Sequence, residues 1–256
     1  MFKNTDIKSL LDLSKETALM ALEKLKELDK ENIKQYSYDE NIEREVKALA
    51  DTIIEKIILD KLLPTGIDIL SEEAGLIEGD QNSRLKFIID PIDGTVNFVR
   101  GIAECSICIA LFEEEKPIFG VIASYPSNEI AWGGKQLGSF LGSSKLEVSN
   151  IGESEKGLLC TGFPSRFKFE KKSLSSQIRL MSKFGKTRML GSASQSLLKV
   201  AKGSAECYSE HKIMIWDVAA GIPIVEGAGG RIKINNISKE DDSLDVTADN
   251  GYINLK

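Results

Sequence analysis

A single histidine, His211, stands in the 256 residues, and that scarcity removes whole classes of mechanism. Histidine-rich zinc or di-iron hydrolase centres cannot be assembled, and a Ser-His-Asp triad would have to be built on that one ring. No GxSxG elbow, GxxxxGKS/T loop or HExxH pair is present either. No run of about 18 uncharged apolar residues occurs, so no segment reads as a membrane span. The opening MFKNTDIKSLLDLSKE carries charges where a signal peptide needs an apolar stretch, which predicts a cytoplasmic protein. Basic residues are not massed. The 33 Lys and Arg stand against 39 Asp and Glu, a net charge of −6, which gives no electrostatic reason to expect a nucleic-acid polymer as partner. Of the four cysteines, Cys105 and Cys108 are spaced to face opposite sides of a strand, and Cys160 and Cys207 stand alone. With no second ligand pair for zinc, all four read as buried thiols.

The remainder has an ordinary globular make-up, 42% hydrophobic with mixed charge. Residues 5 to 28 carry an amphipathic stripe through Ile7, Leu10, Leu11, Ala18, Leu22 and Leu25, with Thr5 as the expected cap. A second helix is expected from about Glu40 to Leu62, on Ile42, Val46, Leu49, Ile53 and Ile57, closed by Pro64 and Gly66. Short β-branched runs follow at 67–70, 85–90, 106–112, 118–124 and 130–132. The second half alternates strands near 158–161, 205–208 and 231–234 with helices at 172–183, at 192–202 and from Trp216. This succession predicts layered sheets and helices with mixed strand pairing, in halves of about 1–150 and 151–256.

The acids are placed more tellingly than they are numerous. In Lys86-Phe-Ile-Ile-Asp90-Pro-Ile-Asp93-Gly94-Thr95 an apolar strand is expected to deliver Asp90 at its end, and the turn at Gly94 lets Asp93 project into the same space. Carboxylates so close raise one another's pKa unless cations neutralise them, and oxygen-only ligands suit a hard cation such as Mg²⁺. A plain turn accounts for Asp-Pro and Asp-Gly equally well. Two further segments tip the balance. Ser71-Glu72-Glu73 sets acids just after another apolar strand, and Trp216-Asp217 opens a small-residue helix with an acid in its first turn.

Taken together, DPIDGTVNF (90–98), WDVAAGIPIVEGAGG (216–230) and SEE (71–73) resemble the inositol monophosphatase family of lithium-sensitive, magnesium-dependent sugar-phosphate phosphatases. The resemblance extends over roughly residues 35 to 250. It implies one inositol monophosphatase-like domain over 1–256, an α+β layered αβαβα sandwich of the sugar-phosphatase type with mixed sheets. It also implies two or three Mg²⁺ ions, held by Glu72, Asp90, Asp93, Asp217 and the carbonyl of Ile92. Glu72 and Thr95 would position and deprotonate the attacking water, with Asp39 as an outer metal or Thr95 partner. Backbone at Gly94 and Thr95 would hold phosphate oxygens. Gly191, Ser192, Ala193 and Glu210, together with Asp93 and Asp217, would face the rest of the substrate. A homodimer is implied as well.

The implied reaction is hydrolysis of a small phosphate monoester, foremost an inositol or sugar monophosphate, with no membrane or nucleic-acid polymer involved. A nucleotidase acting on adenosine 3′,5′-bisphosphate is the alternative, and a non-catalytic metal- or phosphosugar-binding protein is the rival of another class. Departures from the family pattern are few. The Lys and VTxxD stretch before the second helix corresponds to Lys34-Gln-Tyr-Ser-Tyr-Asp39, which lacks the Thr and brings the Lys closer; Gly227 replaces the usual Glu, and Pro223 should kink or shorten the helix after Trp216. Trp132 and Trp216 read as packing residues, and 113–116 as a solvated hairpin turn.

Overall fold

The first apolar stripe folds as helix α1 (Ile7–Lys30), with Leu10, Leu11, Ala18, Leu22 and Leu25 buried along it. Its cap is the Asp6 carboxylate, which accepts from Lys8 N at 3.2 Å. Thr5 lies outside the described residues: the computed structural model describes 6–38, 46–80, 83–238 and 240–254. The second stripe divides in two. Val46–Ala48 is a strand (β2) paired antiparallel with Tyr36–Tyr38 (β1), and helix α2 occupies only Leu49–Leu62. The single helix expected from Glu40 therefore fails over 46–48, because pairing with the aromatic β1 claims that backbone, an effect local periodicity does not carry. A 3₁₀ turn through Pro64 and a left-handed Gly66 close α2 as expected.

Two mixed sheets follow. One has eight strands: β3 (Asp68–Ser71), β4 (Gly75–Ile77), β5 (Leu85–Asp93), β6 (Cys105–Glu113), β7 (Lys116–Tyr125), β8 (Ile130–Gly134), β9 (Gly138–Leu141) and β10 (Ser144–Lys145). Their spatial order is β10-β9-β8-β7-β6-β5-β3-β4, and only β3 and β5 run parallel. The other sheet contains β11 (Leu158–Thr161), β12 (Lys186–Arg188), β13 (Cys207–Met214), β14 (Arg231–Asn235) and β15 (Ser243–Asp249), in the order β12-β11-β13-β15-β14. Helices α3 (Thr95–Arg100), α4 (Lys171–Met181), α5 (Ala193–Ala201), α6 (Ile215–Ala219) and α7 (Gly221–Gly227) complete the chain.

Strand alternation assigns the layers. On β5 to β7, Phe87, Ile89, Ile107, Ile109, Phe119 and Val121 pack with α1 and α2. The intervening Ile88, Cys108, Ala110 and Ile122 pack with Leu197, Ile222 and Val225 of the middle helices, where Cys160, Tyr208 and Val246 of the second sheet join them. Leu159 and Cys207 face outward to Phe184, Leu180 and Met181 at the end of α4. The result is an α+β sandwich of helix, sheet, helix, sheet and helix. All four cysteines are buried and free, with Cys105 and Cys108 on opposite faces. No helix among the described residues is long and apolar enough to cross a membrane.

Pro223 acts as its chemistry requires. It has no N–H for the Ala219 carbonyl, and the expected helix splits at Ala220 into α6 and α7. The junction presses on the first sheet at Gly120, where an added Cβ would lie 2.0 Å from Ala220 O.

Candidate active site

Regular alternation along β5 would send Asp90 and Asp93 to opposite faces. The register against β6 slips between them, with Asp90 opposite Cys108 and Asp93 opposite Ser106, three steps on one strand against two on the other. This bulge turns both acids to one side. The strand thus continues to Asp93, where the sequence suggested an end at Asp90, and Pro91 sits in the bulge, where no ladder donor is required. Gly94 follows at φ +90°, and a Cβ there would approach Glu104 O at 3.0 Å and Gly191 O at 3.2 Å, so this turn requires glycine.

Asp217 reaches the same place from the first turn of α6, where it also accepts from Met214 N at 3.3 Å. One carboxylate oxygen from each of Asp90, Asp93 and Asp217 lies within 4.8 Å of the others. Asp90 is fully buried, and no donor reaches either of its oxygens. Burial, then the charges of Glu72 and Asp93, push its carboxyl well above the ordinary range. A buried, undonated carboxylate beside two more is a place for a hard cation, which would supply the missing partner through oxygen ligands alone. Glu72, half-buried on the turn after β3, lines the same cavity but stands outside that close trio. Burial and the charges of Asp217 and Asp51 raise it as well.

Thr95 opens α3 with its hydroxyl 3.1 Å from Asp51 Oδ1 and 3.0 Å from the Ile92 carbonyl. Asp39, expected as an outer metal or Thr95 partner, lies outside the described residues; Asp51 makes the contact with Thr95. Asp51 falls in the first turn of α2, where its Oδ2 accepts from Ala48 N at 3.2 Å. Burial, then the Glu73 charge, raise it to about 7, against the opposing hydrogen bonds of Thr95 and Ala48. One turn on, Glu55 accepts from Ser71 Oγ and from Ala74 N, tying down the turn that carries Glu72.

Asp93 sits at the start of α5. Its carboxylate accepts from Ser192 Oγ at 2.5 Å, Ser194 N at 2.7 Å, Ala193 N at 3.2 Å and the Ser194 hydroxyl. Burial raises its pKa, and these donors hold it down. Gly191, Ser192 and Ala193 also line the cavity, two of them already engaged with Asp93. Asn97 bridges the two halves through Glu104 O at 2.9 Å and Leu190 O at 2.8 Å. Glu210 is buried beside Gly162; burial, then the charges of Asp217 and Asp93, lift it to about 8. These groups line a cavity of about 360 Å³, with Phe163, Arg166, Lys212 and Trp216 at its walls. Trp216, read as packing alone, therefore also faces the cavity, whereas Trp132 stacks on Phe140 at 4.6 Å.

The sequence reading missed Asp51, Glu55 and Ser194 and gave Asn97 no task. A helix start at Leu49, rather than at Glu40, is the signal that would have brought Asp51 forward.

Comparison with known proteins agrees with this geometry. The model of the inositol monophosphatase family matches residues 6–247. The Nus factor SuhB of Xylella fastidiosa is 36% identical over 188 residues, 71% of this chain and 66% of that protein. The inositol-1-monophosphatase of Caulobacter vibrioides is 33% identical over 187 residues, 72% of each chain. The crystal structure of the extragenic suppressor protein SuhB from Bartonella henselae superposes with a TM-score of 0.86 at 27% identity, covering 95% of both chains.

Proposed function

This chain belongs to the inositol monophosphatase family, and from that premise we propose that it hydrolyses an inositol or sugar monophosphate with Mg²⁺ held by Asp90, Asp93, Asp217, Glu72 and the Ile92 carbonyl. One observation carries the reading: both oxygens of the buried Asp90 lack a donor, and oxygens of Asp93 and Asp217 lie within 4.8 Å. Bound there, magnesium would lower the pKa of a water and neutralise charge on the phosphoryl oxygens.

The protein's own groups have separate tasks. Thr95, donating its proton toward Asp51, keeps lone pairs free to accept from the attacking water. Glu72, at the cavity wall, takes the proton that this water loses. Backbone at Gly94 and Thr95 faces the phosphate, and Asp93, fixed by four donors from 192–194, is oriented before substrate arrives. Glu210, Asp217 and the 191–193 segment face the alcohol that leaves. Water adds to phosphorus, the P–O ester bond breaks, the departing alkoxide takes a proton from solvent to leave as the alcohol, and Glu72 returns the water's proton to solvent.

A panel of phosphate esters, assayed for phosphate release with Mg²⁺, with EDTA and with added Li⁺, tests this. Release should require Mg²⁺, be inhibited by Li⁺, and fall by a factor on the order of a thousand in Asp93→Asn. Tight metal-independent binding of an ester without turnover would instead favour a phosphosugar-binding protein. Following the family resemblance, we also propose a homodimer, supported by the exposed Phe169 (51%) and Ile178 (63%) on and beside α4, and checked by light scattering. A cytoplasmic setting is proposed on the four free thiols.

A further inference from the structure

A backbone distortion holds one lysine at the wall of the catalytic cavity. Strand β13 breaks register with β15 between Glu210 and Ile213, and within that break Lys212 adopts φ +57°. This left-handed conformation is disfavoured for a residue with a long side chain. The bulge is braced. Asp245 Oδ1 accepts from Lys212 N at 3.0 Å, while its Oδ2 lies 3.2 Å from His211 Nδ1 and 2.6 Å from Asn236 Nδ2. Bulges beside active sites re-aim side chains, and strain held in place by surrounding structure points to a use.

Lys212 lines the same cavity as Thr95, Asp93, Glu210 and Asp217. Among the described residues, no carboxylate stands within ion-pair distance of its ammonium. The other cation at the wall, Arg166, has its Nη1 3.4 Å from Asp241 Oδ2.

We propose that Lys212 is a specificity-determining residue, selecting phosphate esters whose leaving alcohol carries a second anionic group. The inference rests on the phosphomonoesterase reading and, within it, places esters with a charged alcohol ahead of a neutral inositol monophosphate. With the scissile phosphate at Gly94 and Thr95, the alcohol extends toward Glu210 and the bulge that follows it. A neutral polyol there needs only hydrogen bonds, which Glu210 at the wall can supply. A second phosphate or a carboxylate would be repelled by Glu210 and Asp217 unless a cation met it, and Lys212 is the cation placed to do so.

The test is steady-state kinetics in Mg²⁺ on three probes: myo-inositol 1-phosphate, with a neutral alcohol; a hexose 1,6-bisphosphate, with a second phosphate; and 3-phosphoglycerate, with a carboxylate. Wild-type protein should favour at least one anionic probe over the neutral one by roughly tenfold in kcat/KM, and the preferred arm identifies the anion. In Lys212→Met and Lys212→Gly that ratio should collapse through KM, whereas Lys212→Arg keeps it. Glycine accepts the positive φ without strain, so a collapse there is not misfolding. A ratio unchanged in both variants, or no preference in the wild type, overturns the proposal while leaving the phosphatase reading intact. Hydrolysis of none of the three by the wild type overturns that reading and the proposal with it.

Discussion

Thr95 donates its hydroxyl proton toward Asp51 and the Ile92 carbonyl, and this governs what either substitution does. Thr95→Ala removes the group that accepts from the attacking water, so kcat should fall by about a hundredfold or more with KM little changed, and Thr95→Ser should retain most activity. Asp51→Asn offers an amide that donates to Thr95 and occupies the lone pair meant for water. Its loss should match that of Thr95→Ala, and the double variant should be no worse than the poorer single one. Additive losses in phosphate-release assays would show that the two act separately. At this scale the sequence was informative where an acid follows an apolar strand or opens a helix within a few residues, as at Asp90, Asp93, Glu72 and Asp217. Asp51 escaped because its meaning depends on Thr95, a contact 44 residues away in sequence.

Among the elements, the α6–α7 pair carries Asp217 and is seated against β7 at Gly120. In Gly120→Ala the new methyl would lie 2.0 Å from Ala220 O, a backbone atom, with no flexible side chain to give way. The helix pair must shift and take Asp217 from the trio. Stability should drop by about 1–3 kcal/mol or more, and the Mg²⁺ concentration for half-maximal activity should rise. Gly152→Ala, whose nearest neighbour would be Tyr252 O at 3.6 Å, is the control, and thermal melts with a magnesium titration compare them. A Gly120→Ala protein with wild-type magnesium response would show that the helix pair is not held there. Legibility varies among elements for a related reason. The core strands and the Pro223 break were readable from alternation and from a missing N–H. Strand β12 was not, since Lys186-Thr-Arg188 has no apolar alternation and owes its form to pairing with β11. The unusual Gly227 became intelligible only in three dimensions, where an added Cβ would meet Ser139 Oγ at 2.4 Å.

Across the whole molecule, the eight-stranded sheet supplies Asp90, Asp93 and Glu72, while Glu210 and Asp217 come from the second half, so folding itself gathers like charges. Without metal, burial and the charges of neighbouring acids raise Asp90 and Glu72, burial raises Asp93, and Asp51 stands at about 7 and Glu210 at about 8. Each folded value stands above an unfolded one of about 4. These groups therefore contribute stability in full below pH about 4, and that contribution is lost as pH rises through about 7 to 8. A divalent cation binds the ionised folded site, so its stabilisation should grow with pH. EDTA-treated protein should melt progressively lower between pH 5 and pH 8, and the gap opened by Mg²⁺ should widen to roughly 5–10 °C at the upper end. Asp90→Asn removes one buried charge and gives its neighbours a donor. It should raise the melting temperature of the EDTA-treated protein at pH 8 while abolishing most of the magnesium gap, separating the site's contribution from the rest of the fold. A gap that is constant with pH, or an Asp90→Asn protein that melts below the metal-free wild type, would mean that the carboxylates are not in repulsion.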